Sequence, residues 1–387
     1  MRTARIGLVV LTLTAGMAAA FPATAESATD TQRVIVVFAD SVANPKAVAA
    51  EQAKRHGGSV KFVYQNALKG WAGSVRSGDL GALMRDKRVR SVEADGQMSV
   101  TDTQATPPWG LDRIDQRALP LSSSYTYAGT DAGVTAYVID TGLRVTHADF
   151  ADDFGQSRAR IGTDKVGGTG ADCNGHGTHV GATIGGRTHG VAKGVSLVGV
   201  RVLDCSGSGS TSGVIAGVDW VTADHDAGER AVANMSLGGS PSSALDLAVK
   251  NSIADGVTYS IAAGNSKRDA CRESPGRVTD ALTVGATDTT DRIASFSNFG
   301  SCLDLFAPGV AITSAWATGD AATNTISGTS MAAPHVAGAA ALYLGGAAST
   351  TSPATVRSAL VANSTKNVVT GLKVRDKSPN ALLYAAG

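Results

Sequence analysis

Charge is scarce in this chain. Of 387 residues only 17% are Asp, Glu, Lys or Arg, and their balance is +1. No basic stripe with interleaved aromatics occurs, so the electrostatic footprint of a nucleic-acid binder is missing and acidic polymers are excluded as partners. Long apolar runs are equally rare. After the first 25 residues none has the length and uniform apolarity of a transmembrane helix, so no membrane span is expected in the mature chain. Cysteine is limited to Cys173, Cys205, Cys271 and Cys302, without a Cys-x-x-Cys pair, which argues against a thiolate metal site. There is no internal repeat and no low-complexity tail.

What is present begins with an export signal. Arg2 and Arg5 lead into an apolar run over residues 6–20, followed by Ala23-Thr24-Ala25 as a small-residue cleavage site. The run is shorter than the roughly 20 residues a membrane anchor needs. A signal peptide spanning 1–25 and a secreted, extracellular product are therefore expected. In an oxidising compartment the four cysteines read as disulfides, with three pairings open.

The length accommodates two folded units. Residues 34–38, 71–75 and 89–92 read as strands, and 45–55 and 80–85 as helices, which makes a small α/β module. The polar, aperiodic stretch 95–108, ending in Pro107-Pro108, reads as a linker. From Trp109 onward, short apolar β runs at 135–139, 196–202, 231–235, 257–263 and 281–284 alternate with helical stretches. Such runs fit strands of a parallel sheet buried on both faces, and the 46 glycines fit tight loops between them. Ser352-Pro353 reads as the cap and first residue of a C-terminal helix.

Three segments carry chemistry. Asp140 ends a strand-like run, where ligand sites of open parallel sheets lie; taken singly, it reads better as an Asp capping a turn. His176 lies between Gly175 and Gly177 as a helix begins. His179, three residues on, raises a zinc site, but the glutamate of His-Glu-x-x-His is absent. Ser330 precedes the small-residue, apolar stretch 336–344, which places its hydroxyl at a buried helix N-terminus, where free N–H groups favour a developing oxyanion. A serine needs a base to take its proton, and the base needs a carboxylate to fix its tautomer.

Together, in the order Asp, His, Ser, these segments form a specific pattern. Through Val138-Ile139-Asp140-Thr141-Gly142, Gly175-His176-Gly177-Thr178-His179-Val180 and Gly328-Thr329-Ser330-Met331-Ala332-Ala333-Pro334-His335, the chain resembles the subtilisin-like serine peptidases. The resemblance runs from about Trp109 to the end and points to the proteinase K branch, in particular to aqualysin-like secreted enzymes. An esterase on an α/β-hydrolase fold would carry Gly-x-Ser-x-Gly and the order Ser, Asp, His, and fits neither. A catalytically silent binding protein of the same fold is opposed by the intact Asp140, His176 and Ser330.

The resemblance implies an α/β, three-layer subtilisin-like fold with a parallel central sheet at 106–387. It implies a small ferredoxin-like pro-domain at 26–105, which acts as folding aid and inhibitor until cut away between about 101 and 106. The implied activity is broad endopeptidase cleavage of proteins and peptides through an acyl-enzyme on Ser330, in a monomer. No cofactor serves catalysis. Asn265 matches the oxyanion asparagine. Ser236, Leu237, Gly238 and Gly239 match one wall of the primary pocket and the edge that pairs with substrate; Ala262, Ala263 and Gly264 match the other wall. Gly207, Ser208 and Gly209 match the strand on the substrate's other side. None of these segments carries an acid, so large apolar or aromatic side chains are expected in that pocket.

Disulfides Cys173–Cys205 and Cys271–Cys302 are likewise implied. So is structural calcium, at Asp304 with the carbonyls of Thr279 and Ala281, and at Asp112, Asp115, Gln116, Ser122 and Ser124. Oxygen-only ligands suit a hard cation. The chain departs from the family at Ala118, where near relatives carry an acid, at Gly181-Ala182, where Ala-Gly is usual, and at Thr211, where some relatives have a tyrosine lining the fourth subsite.

Overall fold

A computed structural model describes residues 31–66, 68–95, 101–129 and 131–385. The expected signal segment, 1–25, lies outside the described residues. The chain divides between Met98 and Ser99 into two compact units.

The smaller unit runs β1 (Thr31–Phe38), α1 (Pro45–Arg55), β2 (Ser59–Tyr64), β3 (Gly70–Arg76), α2 (Leu80–Met84) and β4 (Val89–Ala94). Its antiparallel sheet has the order β2-β3-β1-β4, the ferredoxin-like arrangement. Period-two alternation buries Val34, Val36 and Phe38 of β1 with Trp71 and Leu83. Trp71 Nε1 donates to Gln52 Oε1 at 2.9 Å and Gln52 Nε2 to Asp86 Oδ2 at 2.9 Å, so the polar groups in this small core are satisfied. Asn44 caps α1 by accepting from Ala47 N, and Pro45 supplies the pre-set φ of the first turn.

The larger unit begins with β5 (Thr101–Ala105), α3 (Trp109–Ile114) and β6 (Ser124–Ala128). β5 pairs antiparallel with β6, from Thr101 opposite Ala128 to Ala105 opposite Ser124. The stretch read as the end of the small module and its linker is thus a strand of the large unit. There follow β7 (Val134–Asp140), β8 (Ala159–Asp164), α4 (His176–Gly185), β9 (Ser196–Arg201), α5 (Thr211–Asp224), β10 (Arg230–Met235), α6 (Ser243–Asp255), β11 (Thr258–Ala262), β12 (Leu282–Thr287), β13 (Leu305–Pro308), β14 (Ile312–Ala315), β15 (Thr323–Ile326), α7 (Thr329–Gly346), α8 (Pro353–Asn363), β16 (Thr365–Lys366) and β17 (Ala381–Leu382).

Nine of these strands form one sheet, ordered β16-β17-β13-β12-β11-β10-β7-β9-β8, parallel except for the β16/β17 pair. Both faces are covered. Val134, Ala136 and Val138 of β7 pack with residues of α4, α7 and α8, while Tyr137 and Ile139 pack with residues of α5 and α6. A strand buried on both sides has no polar face, which is why the sequence shows near-continuous apolar runs. The chain leaves β7 towards β9 and β8 on one side and towards β10 through β13 on the other. The carboxyl ends of β7 and β10 therefore flank the crevice where open parallel sheets bind ligands.

Two disulfides, Cys173–Cys205 and Cys271–Cys302, close loops with sequence separations of 32 and 31. Gly181 leaves room for Leu143, just past β7: a Cβ there would stand 2.7 Å from Leu143 Cδ2. The departure from the family's Ala-Gly is thus accommodated by Leu143. Cys271→Ser with Cys302→Ser, made in a Ser330→Ala background to prevent autolysis, is expected to lower the unfolding free energy by about 3 kcal/mol in a denaturant titration.

Candidate active site

Asp140 is the last residue of β7 and fully buried. His176 is the first residue of α4, after Gly175 at φ 110. A Cβ on Gly175 would stand 2.3 Å from the Trp316 ring, so glycine is required there by both conformation and space. Asp140 Oδ1 accepts from Thr141 N at 2.7 Å and lies 2.8 Å from His176 Nδ1. That contact fixes the proton on Nδ1 and leaves Nε2 as the acceptor. Burial opposes charge on His176, but the charge and hydrogen bond of Asp140, with a further contribution from Asp172, outweigh it and raise its pKa.

Asp172 is the tie between the two elements, and the sequence reading missed it. Its Oδ1 accepts from Thr141 Oγ1 (2.9 Å), Asn174 N (2.9 Å) and Gly175 N (2.8 Å); its Oδ2 accepts from Thr178 N (2.9 Å) and Thr178 Oγ1 (2.6 Å). Thr141 Oγ1 in turn accepts from Gly177 N at 2.9 Å. The end of β7 and the first turn of α4 are thus locked together by one buried carboxylate. The available signal was an Asp shortly before a helix start, the usual place for a capping side chain.

Ser330 stands in the first turn of α7, a helix buried along most of its length. That helix begins at Thr329, as the placement of Ser330 at a helix N-terminus implied, and passes through Pro334. Pro334 has no N–H to give to the carbonyl of Ser330, four residues back. Ser236 Oγ supplies the missing donor at 2.7 Å, and itself accepts from Asn234 Nδ2 at 2.8 Å. Ser330 Oγ donates to Ser236 O at 3.2 Å. The two serines therefore fix each other, across the carboxyl end of β10.

Asn265 lies just past β11. Its Oδ1 accepts from Thr329 N at 2.8 Å and Thr329 Oγ1 at 2.9 Å, which assigns the amide orientation and leaves Nδ2 free beside Gly328 and Ser330. An open groove of about 550 Å³ runs past His176, lined by Gly207, Ser208 and Gly209 on one side and by Ser236, Leu237, Gly238 and Gly239 on the other, with Thr211 at its wall. Ala262 and Ala263 are buried, and Gly264 N donates to Thr329 Oγ1 at 3.1 Å. The Cys173–Cys205 bond steadies this region, where Asn174 Nδ2 donates to Cys205 O at 3.0 Å.

His179 Nε2 is 3.0 Å from Ile312 O, and burial pushes the pKa of His179 down to about 3. Among the described residues no group of three or more His, Cys, Asp or Glu could hold a metal.

The two oxygen sets expected to bind calcium differ. At Asp304, Arg357 Nη2 donates to Oδ1, Thr283 N donates to Oδ2 at 2.8 Å, and Arg357 Nε donates to Ala281 O at 3.2 Å. A guanidinium thus already bridges two of the three expected ligands, and a dication held at 2.3–2.6 Å from the same oxygens would sit against a fixed positive charge. This set does not fit calcium. At the other, Asp112 takes the N–H groups of Ser122 and Ser123, and Asp115 Oδ2 accepts from Thr126 N at 2.7 Å, while Asp115 Oδ1 is buried with no partner. An orphaned carboxylate oxygen beside a second carboxylate and serine oxygens fits a hard cation.

A carboxylate-held imidazole and a serine at a helix N-terminus, beyond the carboxyl ends of parallel strands, define a serine hydrolase on an α/β sheet. Comparison with known proteins gives the family. Residues 131–379 match the Subtilase family (Peptidase S8). The chain is 57% identical over 328 residues to an extracellular serine proteinase of Thermus sp. (strain Rt41A), covering 85% of this chain and 78% of that protein. It is 50% identical to alkaline serine exoprotease A of Vibrio alginolyticus, over 84% of this chain and 60% of the relative. A crystal structure of a cold adapted subtilisin-like serine proteinase superposes with a TM-score of 0.68 at 52% identity, covering 73% of this chain and all of the other. The chain belongs to the subtilase family of serine peptidases.

If His176 is the base that takes the serine proton, its protonated form cannot do so, and activity falls as pH drops through the His176 pKa. With that pKa raised, the acid limb of kcat/KM against pH is expected to have its midpoint above the ordinary histidine value of 6.5. A midpoint at or below 6.5 would contradict the electrostatic account.

Proposed function

We propose that this chain is a secreted serine endopeptidase of broad specificity, made as a precursor that processes itself. In this reading Ser330 Oγ attacks the scissile carbonyl while His176 Nε2 takes its proton, and Asp140 holds the imidazole in the required tautomer. The tetrahedral oxyanion is met by the Ser330 N–H, which lies in the first turn of α7 without an intrahelical acceptor, and by Asn265 Nδ2. His176 then protonates the leaving amine, and water hydrolyses the acyl-enzyme by the same path. The observation that carries the reading is the 2.8 Å Asp140–His176 hydrogen bond.

Substrate would lie extended between 207–209 and 236–239, held by main-chain hydrogen bonds that do not read sequence, which accounts for broad specificity. Small walls at 236–239 and 262–264 suit large apolar or aromatic side chains in the primary pocket. Secretion rests on the leader-like N-terminus and on the extracellular relative. Among the described residues, no helix is long and apolar enough to cross a membrane. The mature peptidase is taken to be a monomer.

Residues 26 to about 105 serve as folding aid and inhibitor in this proposal, removed by a cut between about 101 and 106. Pairing of Thr101–Ala105 with Ser124–Ala128 favours the N-terminal end of that window, since a cut inside the strand would sacrifice its ladder. Ser330→Ala is expected to stay unprocessed in a protease-free host, and a serine-directed phosphonylating reagent to abolish casein cleavage with its adduct on Ser330. Autonomous maturation of the variant, or an adduct elsewhere, would overturn the assignment.

Calcium is proposed at Asp112, Asp115, Gln116, Ser122 and Ser124 as a structural ion without a catalytic role. Chelation is then expected to lower the melting temperature of the phosphonylated enzyme by about 5 °C. Asp115→Asn should abolish that response and Asp304→Asn should leave it intact, as read by scanning calorimetry with and without chelator.

A further inference from the structure

The motif segments that form the walls of the primary pocket contain no acid, but the fold brings one between them. Ser274 is tied to the first wall by two main-chain hydrogen bonds, Gly239 N to Ser274 O at 2.9 Å and Ser274 N to Gly239 O at 3.2 Å. Glu273, the residue before it, is only 7% exposed. Its Oε2 lies 2.3 Å from where a Cβ on Gly264 would stand and 3.5 Å from where a Cβ on Gly238 would stand. The carboxylate therefore occupies the space between the two walls, and it can do so because Gly264, at φ 101, carries no side chain.

Its two oxygens are not equivalent. Oε1 is held by Arg268, from Nε at 2.7 Å and Nη2 at 2.6 Å. No hydrogen bond from the described residues reaches Oε2. The Arg268 backbone is anchored, since its N–H donates to Asn298 Oδ1 at 3.0 Å and its carbonyl accepts from Phe299 N at 3.0 Å, while its half-exposed side chain reaches Glu273. The result is a positioned carboxylate with one oxygen neutralised by an internal partner and one left to a ligand.

We infer that Glu273 is a specificity-determining residue of the primary pocket, which makes it accept lysine and arginine as well as large apolar side chains on the acyl side of the cleaved bond. This rests on the peptidase reading above and extends it. A long cationic side chain suits such a pocket because its methylene stem packs along apolar walls while its charged head reaches a polar end. At that end the head forms a charge-assisted hydrogen bond with Oε2. A phenylalanine or leucine uses the same walls and forgoes the contact. Arg268 limits the preference by competing for the carboxylate, so the pocket is one of dual acceptance rather than strict basic specificity.

The test uses four peptide anilides identical except for Lys, Arg, Phe or Leu next to the scissile bond. Values of kcat/KM are measured for the mature wild type, Glu273→Gln and Arg268→Ala, each prepared from the full chain. Wild type is expected to cleave the Lys and Arg substrates as well as Phe and Leu. Glu273→Gln should lower the Lys:Phe ratio about tenfold, the worth of one charge-assisted hydrogen bond, with the Phe value largely kept. Arg268→Ala, which frees the second oxygen, should raise the ratio. A merely structural salt bridge would affect all four substrates alike in both variants. Should Glu273→Gln fail to accumulate, the direction of change in Arg268→Ala decides. An unchanged or lowered ratio there, an unchanged ratio in Glu273→Gln, or a wild type that ignores Lys and Arg overturns the inference. If wild type cleaves none of the four, or cleaves them no better than Ser330→Ala, the peptidase reading itself fails.

Discussion

The hydrogen bond between Asp140 and His176 joins side chains 36 residues apart in sequence, and its 2.8 Å length depends on two elements meeting end to end. β7 delivers the carboxylate at its carboxyl end; α4 delivers the imidazole in its first turn. Neither element controls the other locally. Asp172 does, by bonding Thr141 beside Asp140 and the N–H groups around His176 with the same carboxylate. The low dielectric of a buried site strengthens each of these bonds and makes any missing one costly, so the network is rigid where the chemistry needs it.

The serine side is built on a different device. A proline inside a helix ordinarily leaves a carbonyl unpaired and bends the axis. Here the unpaired carbonyl belongs to Ser330, and Ser236 from the end of β10 satisfies it. Ser330 is thereby docked to the strand edge that forms one wall of the groove. Asn265 is oriented in the same economical way, because Thr329 claims its carbonyl oxygen and leaves its amide facing Gly328 and Ser330.

Charges near the groove and the sheet edge distinguish this chain from what shared motifs imply. Arg357 reaches from α8 to Asp304 and Ala281, where a cation was expected, and supplies the positive charge covalently. Glu273 and Arg268 form an ion pair beside the uncharged segments 236–239 and 262–264. Both cases follow one rule: a buried carboxylate persists only with a partner, and the choice of partner, metal or side chain, alters what the site can bind.

The sequence by itself determined the class of fold, the strands later seen as β7, β9, β10, β11 and β12, and the segments holding Asp140, His176 and Ser330. Doubly buried strands must be apolar, and a helix opening on small residues leaves a readable trace. It left unread the strand character of 101–105, because a polar edge strand has no alternation to detect. It also left unread the roles of Asp172, Arg357 and Glu273. A lone acid or base carries no signal of its partner, and these partners come from distant segments. Only the tertiary structure decided which charges meet, since a hydrogen bond requires about 3 Å between atoms and nothing in the order of residues sets that distance.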